Sequence, residues 1–590
     1  MAARSNASMA SGRRERVFTI LLLLLAAGAT IARVVLAYKT PISPNTDADL
    51  DDMMLMNYAN YLRAGEWVGP YGVHTLAKNV GYSLCMAAFR MLGMRYQLGF
   101  ALLLVLVCLL SAQALRPLVP SLAVRCSLYV VLLYLPVFLS SYFFQRVYRN
   151  GMAVVFALLV FSTFVGVYLR RRERLGVLCA WALLAGASLG FFSIIQESAA
   201  WALPFAVASM LVTMVLVLVD AVRLRAKVLE RQRRRASAKA PRMRFSVARV
   251  AVPRLVILAV PLVVCVGVTS GVRAINQAHY GVALLNDKYQ GEFARATADL
   301  MRIDAGFADD RVWVCNDALD QALAASPALR SMKKEINKYW KICQDISAGF
   351  NVLDPAAEPQ VVGDHSYWAL RSAYFEHGGY ADAQQTERYW GAVANELEQA
   401  FEEGTLKRKD GLYLSATTQP LPWDRVAGWV ASSAEVVGRY AWGDLVEETL
   451  IRPLPYTEVG TGQLDAQLEA RDLLGQNTLF KVDGELYEDR ASQVAQPWLQ
   501  VDNALGKTLV LVQRILLVAS AIGLVVLLVR DIRGRSVDGL RTGLILVGLA
   551  LSAFVLVFGA SWMISFLSSN ESAVAASSNA FSYCGAVYAL

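Results

Sequence analysis

The stretch VFTILLLLLAAGATIARVVLAY, residues 17–38, contains one charged side chain, Arg33. A helix of about 20 apolar residues is long enough to cross the hydrocarbon core of a bilayer. The stretch follows a polar and basic segment, residues 1–16, and no convincing small-residue cleavage site comes after it. We therefore interpret it as an uncleaved first membrane span that leaves the N-terminus in the cytoplasm.

Similar apolar runs recur along the chain. Of its 590 residues, 56% are hydrophobic and 18% are charged, which is too little charge for the surface of a soluble protein of this size. The sequence predicts a polytopic α-helical membrane protein with about nine or ten spans. The candidate segments are 17–38, 80–94, 98–115, 122–140, 150–169, 175–194, 199–221, 249–271, 506–529 and 542–563, and a last apolar stretch lies at 578–590.

The net charge of +9 is concentrated in short basic tracts between the apolar runs. Such tracts orient a membrane protein, because loops rich in lysine and arginine stay on the cytoplasmic side. We therefore expect residues 170–174, 223–244 and 530–535 to be cytoplasmic, and we expect no nucleic-acid partner.

The basic tracts also limit which segments cross the membrane. If every candidate crosses, residues 170–174 fall outside, against the positive-inside rule. The weakest candidate is 80–94, which contains Arg90 and, at about 15 residues, is too short for a span. We interpret it as an interfacial or re-entrant helix. The loop 39–97 and the long polar insert 272–505 then lie on the extracytoplasmic side.

This topology divides the chain into three parts. Residues 1–271 form an N-terminal transmembrane module, residues 272–505 an extracytoplasmic domain, and residues 506–590 the C-terminal transmembrane segments. The spacing of apolar residues predicts that the insert is mostly helical. Its region 405–470 contains several prolines and short apolar runs, and we leave it open between loops and a small sheet.

Two features of the insert have alternative interpretations. Aromatic side chains are concentrated in one stretch and comprise Tyr367, Trp368, Tyr374, Phe375 and Tyr380. They could form a platform for a glycan, but we favour a role in the hydrophobic core. Cys315 and Cys343 could form a disulfide if the insert is extracytoplasmic, but free thiols are equally compatible with the sequence.

The loop after the first span is strongly acidic. Residues 45–58, NTDADLDDMMLMNY, contain Asp47, Asp49, Asp51 and Asp52. One or two carboxylates could cap the amphipathic helix predicted after them. Capping leaves the other carboxylates unexplained, and charges beside the hydrocarbon region are costly and usually functional.

Other charged residues are predicted on the same membrane face. They are Lys78, Arg146, Arg149 and Glu197. Individually, the arginines could be anchors that reach lipid phosphates, and Glu197 could be a solvated loop residue. Together they fit group transfer from a lipid-linked phosphate, in which a carboxylate acts as general base and the cations hold the phosphate. Phosphate-loop, H-E-x-x-H and G-x-S-x-G motifs are absent from the sequence.

Residues 50–82, LDDMMLMNYANYLRAGEWVGPYGVHTLAKNVGY, resemble a sequence stretch of a known family. They are similar to the first external loop of the C-type membrane glycosyltransferases, the group that includes protein O-mannosyltransferases and the aminoarabinose transferase of lipid A. Asp51 and Asp52 match the acidic pair, and Lys78 matches the lysine of that loop. The resemblance is specific over residues 17–97 and looser through FQRVYRN and IIQES. Asn79 stands where proline is usual, and Gln196 where a second acid is expected.

The resemblance implies an integral-membrane glycosyltransferase that uses a polyprenyl-phosphate sugar as donor at the external face. It implies that Asp51 is the general base, with Asp52 as the alternative, and that Glu197 is a second acid near the acceptor or sugar. Lys78, Arg146 and Arg149 would bind the donor phosphate. The acceptor, whether glycan, protein or lipid, is left open, and membrane lipid is a further partner.

Three alternatives accompany this interpretation. No cofactor is certain, although Asp49 and Asp51 could hold a divalent cation through carboxylate oxygens. A lipid transporter would place charges near the middle of the membrane and would show paired, interrupted helices. A non-catalytic scaffold or sensor of the cell envelope would tolerate replacement of the loop acids.

Overall fold

The computed structural model describes most of the chain. The described residues are 2–46, 50–140, 144–234, 246–307, 309–349, 353–354, 356–414, 418–451, 457–460, 464–475, 478–487, 490–534 and 538–563. Asp47, Asp49 and the apolar stretch 578–590 lie outside them, as does part of the basic tract 223–244.

Helices dominate the described chain. The N-terminal part contains α1 Ala2–Lys39, α2 Asp52–Ala64, α3 Gly81–Met91, α4 Tyr96–Ala114, α5 Leu122–Leu133, α6 Arg149–Leu169, α7 Leu175–Ile195, α8 Leu203–Arg234 and α9 Val247–Tyr280. The insert contains α10 Gly291–Met301, α11 Asn316–Ala325, α12 Pro327–Ser331, α13 Lys333–Gly349, α14 His365–Glu376, α15 Ala383–Glu402, α16 Val426–Trp442, α17 Asp444–Ile451 and α18 Leu464–Leu474. The last helices are α19 Arg490–Gly534 and α20 Asp538–Met563.

Within the described residues, eight helices are long and apolar enough to cross a membrane, as a multi-pass protein requires. Their apolar stretches are 17–39, 96–114, 149–169, 175–195, 197–232, 247–280, 497–534 and 542–563. The segment 80–94 is not among them: it forms α3, which has 11 residues. That length agrees with the expectation that this segment does not cross.

The predicted span 122–140 is not one continuous helix. Its helix α5 ends at Leu133, and a short 3-10 helix, Pro136–Leu139, follows. Pro136 has no amide hydrogen and holds the residue before it in an extended conformation, so the helix cannot continue through it. The segment still runs parallel to α1, because Thr30 contacts Tyr129 and Arg33 donates to the carbonyl of Phe138 at 2.6 Å.

Small residues allow the membrane helices to pack closely. A Cβ added to Gly186 of α7 would lie 2.7 Å from the carbonyl oxygen of Pro261 in α9, and one added to Gly190 would lie 2.8 Å from Val268 Cβ. These two glycines are four residues apart and form a GxxxG pair, which brings helix backbones together where lipid gives little apolar driving force.

The two ends of the helix bundle differ in charge. At one end, here called the arginine end, Arg170 donates to the carbonyl of Ala114, and Arg171 and Arg172 pair with Asp220. Arg254 at the start of α9 joins them by donating to the carbonyl of Arg171 at 3.0 Å. The loop between α1 and α3 lies at the opposite end, here called the loop end.

The first part of the insert, residues 291–406, has its own apolar core and packs on α2 at the loop end. The side chains of Tyr367, Trp368, Tyr374 and Tyr380 are buried in this core, whereas Phe375 is 51% exposed. The interpretation as core is therefore correct for four of the five aromatics. Cys315 and Cys343 are buried free thiols, so no disulfide joins them.

The second part of the insert packs against the membrane helices. Trp429 of α16 contacts Trp562 of α20 edge to face at 5.0 Å, and the hydroxyls of Ser140 and Thr449 lie 2.9 Å apart. The undecided region 405–470 contains α16, α17 and part of α18. It also contains β1 Thr457–Val459, which pairs in parallel with β2 Phe480–Val482; β2 pairs antiparallel with β3 Glu485–Leu486.

Continuous helices cross both predicted boundaries of the insert. The helix α9 extends beyond residue 271 to Tyr280, and α19 begins at Arg490, before residue 505. Each of these helices therefore runs without a break from the predicted membrane part into the predicted insert.

Candidate functional site

The predicted site residues meet at the loop end of the bundle. Asp51 lies immediately before α2, and its Oδ1 accepts a hydrogen bond from the ammonium group of Lys78. Arg146 Nη2 lies 3.4 Å from Asp51 Oδ2. The Asp51 side chain does not cap α2, so the capping interpretation fails for this residue. Its 40% exposure leaves the carboxylate accessible from one side.

Asp52 is bound more tightly and is fully buried. Arg146 Nε lies 3.0 Å from Oδ1 and 3.2 Å from Oδ2 of this carboxylate, and the backbone N–H of Asn45 donates to it at 3.3 Å. A short backbone pairing holds Arg146 in place, since Ser43 N–H donates to the carbonyl of Gln145 at 2.7 Å. Of the two adjacent acids, Asp51 is the one that a substrate can reach.

The charges around these acids set their protonation. Burial alone would raise the pKa of Asp51, but Lys78 and Arg146 outweigh it and hold that pKa well below its usual range. Burial raises the pKa of Asp52 against the opposing effect of Arg146. Asp51 is therefore an anion, held by two cations.

Tyr148 connects the charged groups and was missed by the sequence interpretation. Its hydroxyl donates to Asp51 Oδ1 at 3.1 Å and accepts from Lys78 Nζ at 3.0 Å. Its ring centre lies 5.0 Å from Lys78 Nζ, 4.6 Å from Arg146 Cζ and 5.6 Å from Arg149 Cζ. Burial and the nearby Asp51 carboxylate raise its pKa, so it remains a phenol that can donate. Its position in the sequence between Arg146 and Arg149 was the signal that could have identified it as a site residue.

Arg149 and Glu197 form a second ion pair next to this cluster. Arg149 begins α6, and Glu197 begins the 3-10 helix Glu197–Ala202 that leads into α8. The Nη1 atom lies 2.6 and 2.7 Å from the two carboxylate oxygens, and both side chains are at least 90% buried. Next to them, Gln196 donates to Asn150 at 3.2 Å and ties the same two helix starts together.

The insert holds the loop that carries Lys78. Asn79 donates to the carbonyl of Ser193 in α7 at 3.0 Å and accepts from Asn286 at 2.5 Å. The backbone of Leu76 has φ of 59°, a left-handed conformation that is strained for a residue with a side chain, and its carbonyl accepts from Asp287 N–H at 2.9 Å. Lys78 is thereby fixed from both the membrane module and the insert, which spacing along the sequence did not indicate.

A third ion pair, Lys288 with Asp364 at 2.9 Å, comes from the insert. Burial would lower the pKa of Lys288, but Asp364 raises it, with a smaller contribution from Glu197. Lys288 holds the pKa of Asp364 down against the effect of burial, and Asp51 acts in the opposite direction. Lys288 is thus coupled electrostatically to Glu197, and Asp364 to Asp51.

The geometry around Asp51 bears on the alternative of a divalent cation. Within the described residues, no group of three or more histidine, cysteine or acidic side chains could hold a metal ion. Asp49 lies outside those residues, so the alternative with Asp49 and Asp51 stays a prediction. Both oxygens of Asp51 face cationic groups, Lys78 and Arg146, which would repel a second cation.

An apolar groove of about 640 Å³ runs along the outside of the bundle between α6, α8 and α20. One end includes Trp201, which belongs to the 3-10 helix that begins at Glu197. The other end includes Arg171, Arg172 and Asp220 at the arginine end. Its apolar lining and its length along the bundle are suited to an acyl or prenyl chain.

Two comparisons of the chain's sequence with known proteins found no match. Its sequence matches no known family model, and no curated protein is significantly similar to it. The function must therefore be inferred from the site itself.

Proposed function

We propose that this protein is an integral-membrane glycosyltransferase that moves a sugar from a polyprenyl-phosphate donor to an acceptor at the external membrane face. The observation that supports it best is the Asp51 carboxylate, partly exposed and held between Lys78, Arg146 and the hydroxyl of Tyr148. The resemblance of residues 50–82 to the first external loop of C-type membrane glycosyltransferases supports the same reaction. The acceptor is a hydroxyl of a glycan, protein or lipid.

The balance of charge supports a mechanism in which the donor exchanges partners with the site. Lys78 and Arg146 neutralise Asp51 in the free protein. When a donor phosphate takes over these cations, Asp51 loses the charges that hold its pKa down and becomes a stronger base. Binding of the donor thus prepares the base, and the carboxylate is not strongly basic until the substrate is present.

The transfer itself is a single displacement. Asp51 accepts the proton of the acceptor hydroxyl. At the same time the oxygen of that hydroxyl attacks the anomeric carbon of the donor sugar. The bond between that carbon and the phosphate oxygen breaks, and the polyprenyl phosphate leaves with the electron pair. Lys78 and Arg146 stabilise the negative charge that the phosphate gains, and Arg149 is the further cation in reach. Asp51 then releases its proton to water.

The distribution of positive charge supports the external location of the site. Arg170, Arg171, Arg172 and Arg254 lie at the opposite end of the bundle from Asp51. Loops rich in arginine remain in the cytoplasm, so the loop end and the insert would face outside and the N-terminus would lie inside. The apolar groove reaches Trp201, four residues after Glu197, and would hold the prenyl chain of the donor.

The test uses the full chain in lipid nanodiscs and a panel of radiolabelled polyprenyl-phosphate sugars. We expect the wild type to bind one donor and to release its sugar. The Asp51→Asn variant should bind that donor at least as tightly as the wild type, because the carboxylate no longer competes for Lys78 and Arg146. It should release sugar about 100-fold more slowly, because the base is lost. The Asp345→Asn variant, on the exposed face of the insert, is the matched control and should behave as the wild type.

Two results would contradict the proposal. The first is binding of no donor by the wild type; the second is unchanged sugar release by Asp51→Asn. Either result would favour a non-catalytic envelope protein, whose insert would then be tested for glycan or protein ligands.

A further inference from the structure

The ion pair between Lys288 and Asp364 lies at the junction of the insert and the membrane module. Lys288 is in the segment between α9 and α10, and Asp364 immediately precedes α14. Their charged atoms are 2.9 Å apart, and the side chains keep 19% and 26% of their surface exposed. The ammonium of Lys288 also lies 5.2 Å from the ring centre of Tyr367.

The residues just before Lys288 contact the loop that carries Lys78. Asp287 N–H donates to the carbonyl of Leu76, two residues before Lys78, and Asn286 donates to Asn79. Asn79 in turn contacts the backbone of α7 at Ser193, four positions before Glu197. This chain of hydrogen bonds ties the segment that carries Lys288 to the loop that carries Lys78 and to the end of α7 that precedes Glu197.

The pair has a different role from its neighbours in the fold. Asp287 and Arg371 are buried and pair with each other. Both also bond the hydroxyl of Tyr367, and Arg371 donates to backbone carbonyls of the loop that carries Lys78, so they brace the junction. Lys288 and Asp364 instead remain partly exposed, next in sequence to the contacts with the loop that carries Lys78. An ammonium group has three donor hydrogens and a carboxylate has about four acceptor positions, so one ion pair leaves capacity on both.

We propose that Lys288 and Asp364 form a subsite for the sugar ring of the donor. This inference rests on the proposed function. Two neighbouring hydroxyls of a neutral sugar match the pair, since one can donate to the Asp364 carboxylate and the other can accept from the Lys288 ammonium. The ring would then lie between the insert and the membrane module, with its anomeric carbon toward Asp51 and its phosphate toward Lys78.

The experiment compares two ligands that differ only by the sugar. The probes are undecaprenyl phosphate and the undecaprenyl-phosphate sugar that the wild type binds, each measured in nanodiscs. For Lys288→Met and Asp364→Asn we expect about tenfold weaker binding of the sugar-bearing donor, because each loses a charged hydrogen bond, and less than twofold change for undecaprenyl phosphate. Asp364→Asn keeps the shape of the side chain, so its folding should be little affected.

Matched controls are Lys338→Met and Glu376→Gln, which remove a 2.6 Å ion pair on the exposed face of the insert. Both should bind each probe as the wild type does. Equal weakening for the two probes would assign the pair to the phosphate or to folding, and unchanged binding of both would remove it from the site; either result overturns the subsite alone. An effect confined to the KM of the acceptor would also overturn it. If the wild type binds neither probe, the proposed function itself fails.

Discussion

The guanidinium of Arg371 donates a hydrogen bond to the backbone carbonyl of Thr75 over 2.8 Å, although the two residues are 296 positions apart. It also donates to the carbonyl of Val73 and pairs with Asp287, and none of its surface is exposed. A residue of the insert thereby fixes the backbone three residues before Lys78. The position of Lys78 therefore depends on the insert as well as on the membrane module.

Replacement of Arg371 by Met should therefore impair both stability and the site. Its loss leaves the Asp287 carboxylate buried without its cation, and removal of one partner of a buried ion pair costs about 3–5 kcal/mol. We expect a lower midpoint of thermal unfolding and weaker binding of donor phosphate. Arg295→Met, which removes a 44% exposed arginine of the same domain, is the control and should change neither property. If donor affinity survives in Arg371→Met, Arg371 does not position Lys78.

The Tyr148→Phe substitution distinguishes the contribution of the Tyr148 hydroxyl from that of its ring. The ring would still face the three cations, but the hydrogen bonds to Asp51 and Lys78 would be lost. We expect sugar transfer to slow about tenfold, with donor affinity within about twofold of the wild type. Tyr129→Phe, which removes a hydroxyl that contacts Thr30 within the bundle, is the control. A large loss of donor affinity in Tyr148→Phe would assign the hydroxyl to the phosphate instead.

The pair of Arg149 and Glu197 should show strong coupling in a double-mutant cycle. Each single variant, Arg149→Met or Glu197→Gln, leaves its partner buried, and we expect Arg149→Met to cost about 3–5 kcal/mol. The double variant should be less destabilised than the sum of the two, as measured by chemical denaturation in detergent. The exposed pair of Lys341 and Asp345 should show coupling below about 1 kcal/mol. Additive effects at Arg149 and Glu197 would mean that the pair does not act as a unit.

Glu387 should make stability depend on pH near neutrality. Burial raises its pKa to about 7, aided by Asp287 and Glu292. Because this pKa exceeds the unfolded value of about 4.3, the carboxyl favours folding at low pH, and the contribution is lost as pH rises through about 7. Glu387→Gln should therefore raise the thermal midpoint relative to the wild type at pH 8, on the order of 2 °C, more than at pH 5. The same difference at both pH values would exclude Glu387 as the source.

A substitution at Gly186 tests how closely α7 and α9 pack. An added Cβ would meet backbone atoms of Pro261, which cannot move aside cheaply, so Gly186→Ala should cost about 1–3 kcal/mol. Gly176 begins the same helix and has open space around its Cβ position, so Gly176→Ala should be neutral or stabilising by up to about 1 kcal/mol. Thermal unfolding in detergent compares the two. Equal effects would show that α7 and α9 are not closely packed at Gly186.

The sequence alone predicts the membrane helices well. A backbone in lipid must satisfy its own hydrogen bonds, so an apolar run of sufficient length forms a helix whatever its neighbours are. That local rule placed the apolar stretches and excluded 80–94 as a span. It was wrong for the continuity of 122–140, because Pro136 interrupts the helix within an apolar run.

Candidate site residues could be chosen from the sequence because charges beside hydrocarbon are rare. Their pairing could not, since it depends on contacts between distant parts of the chain: Asp51 with Arg146, and Arg149 with Glu197. The pair of Lys288 and Asp364 was not predicted and was found only in the folded chain. The same holds for Tyr148, whose neighbours in space are cations from separate loops. Periodicity and composition describe one segment at a time. Only the folded chain brings the segments together, so the tertiary structure decided which charges meet and which carboxylate remains accessible.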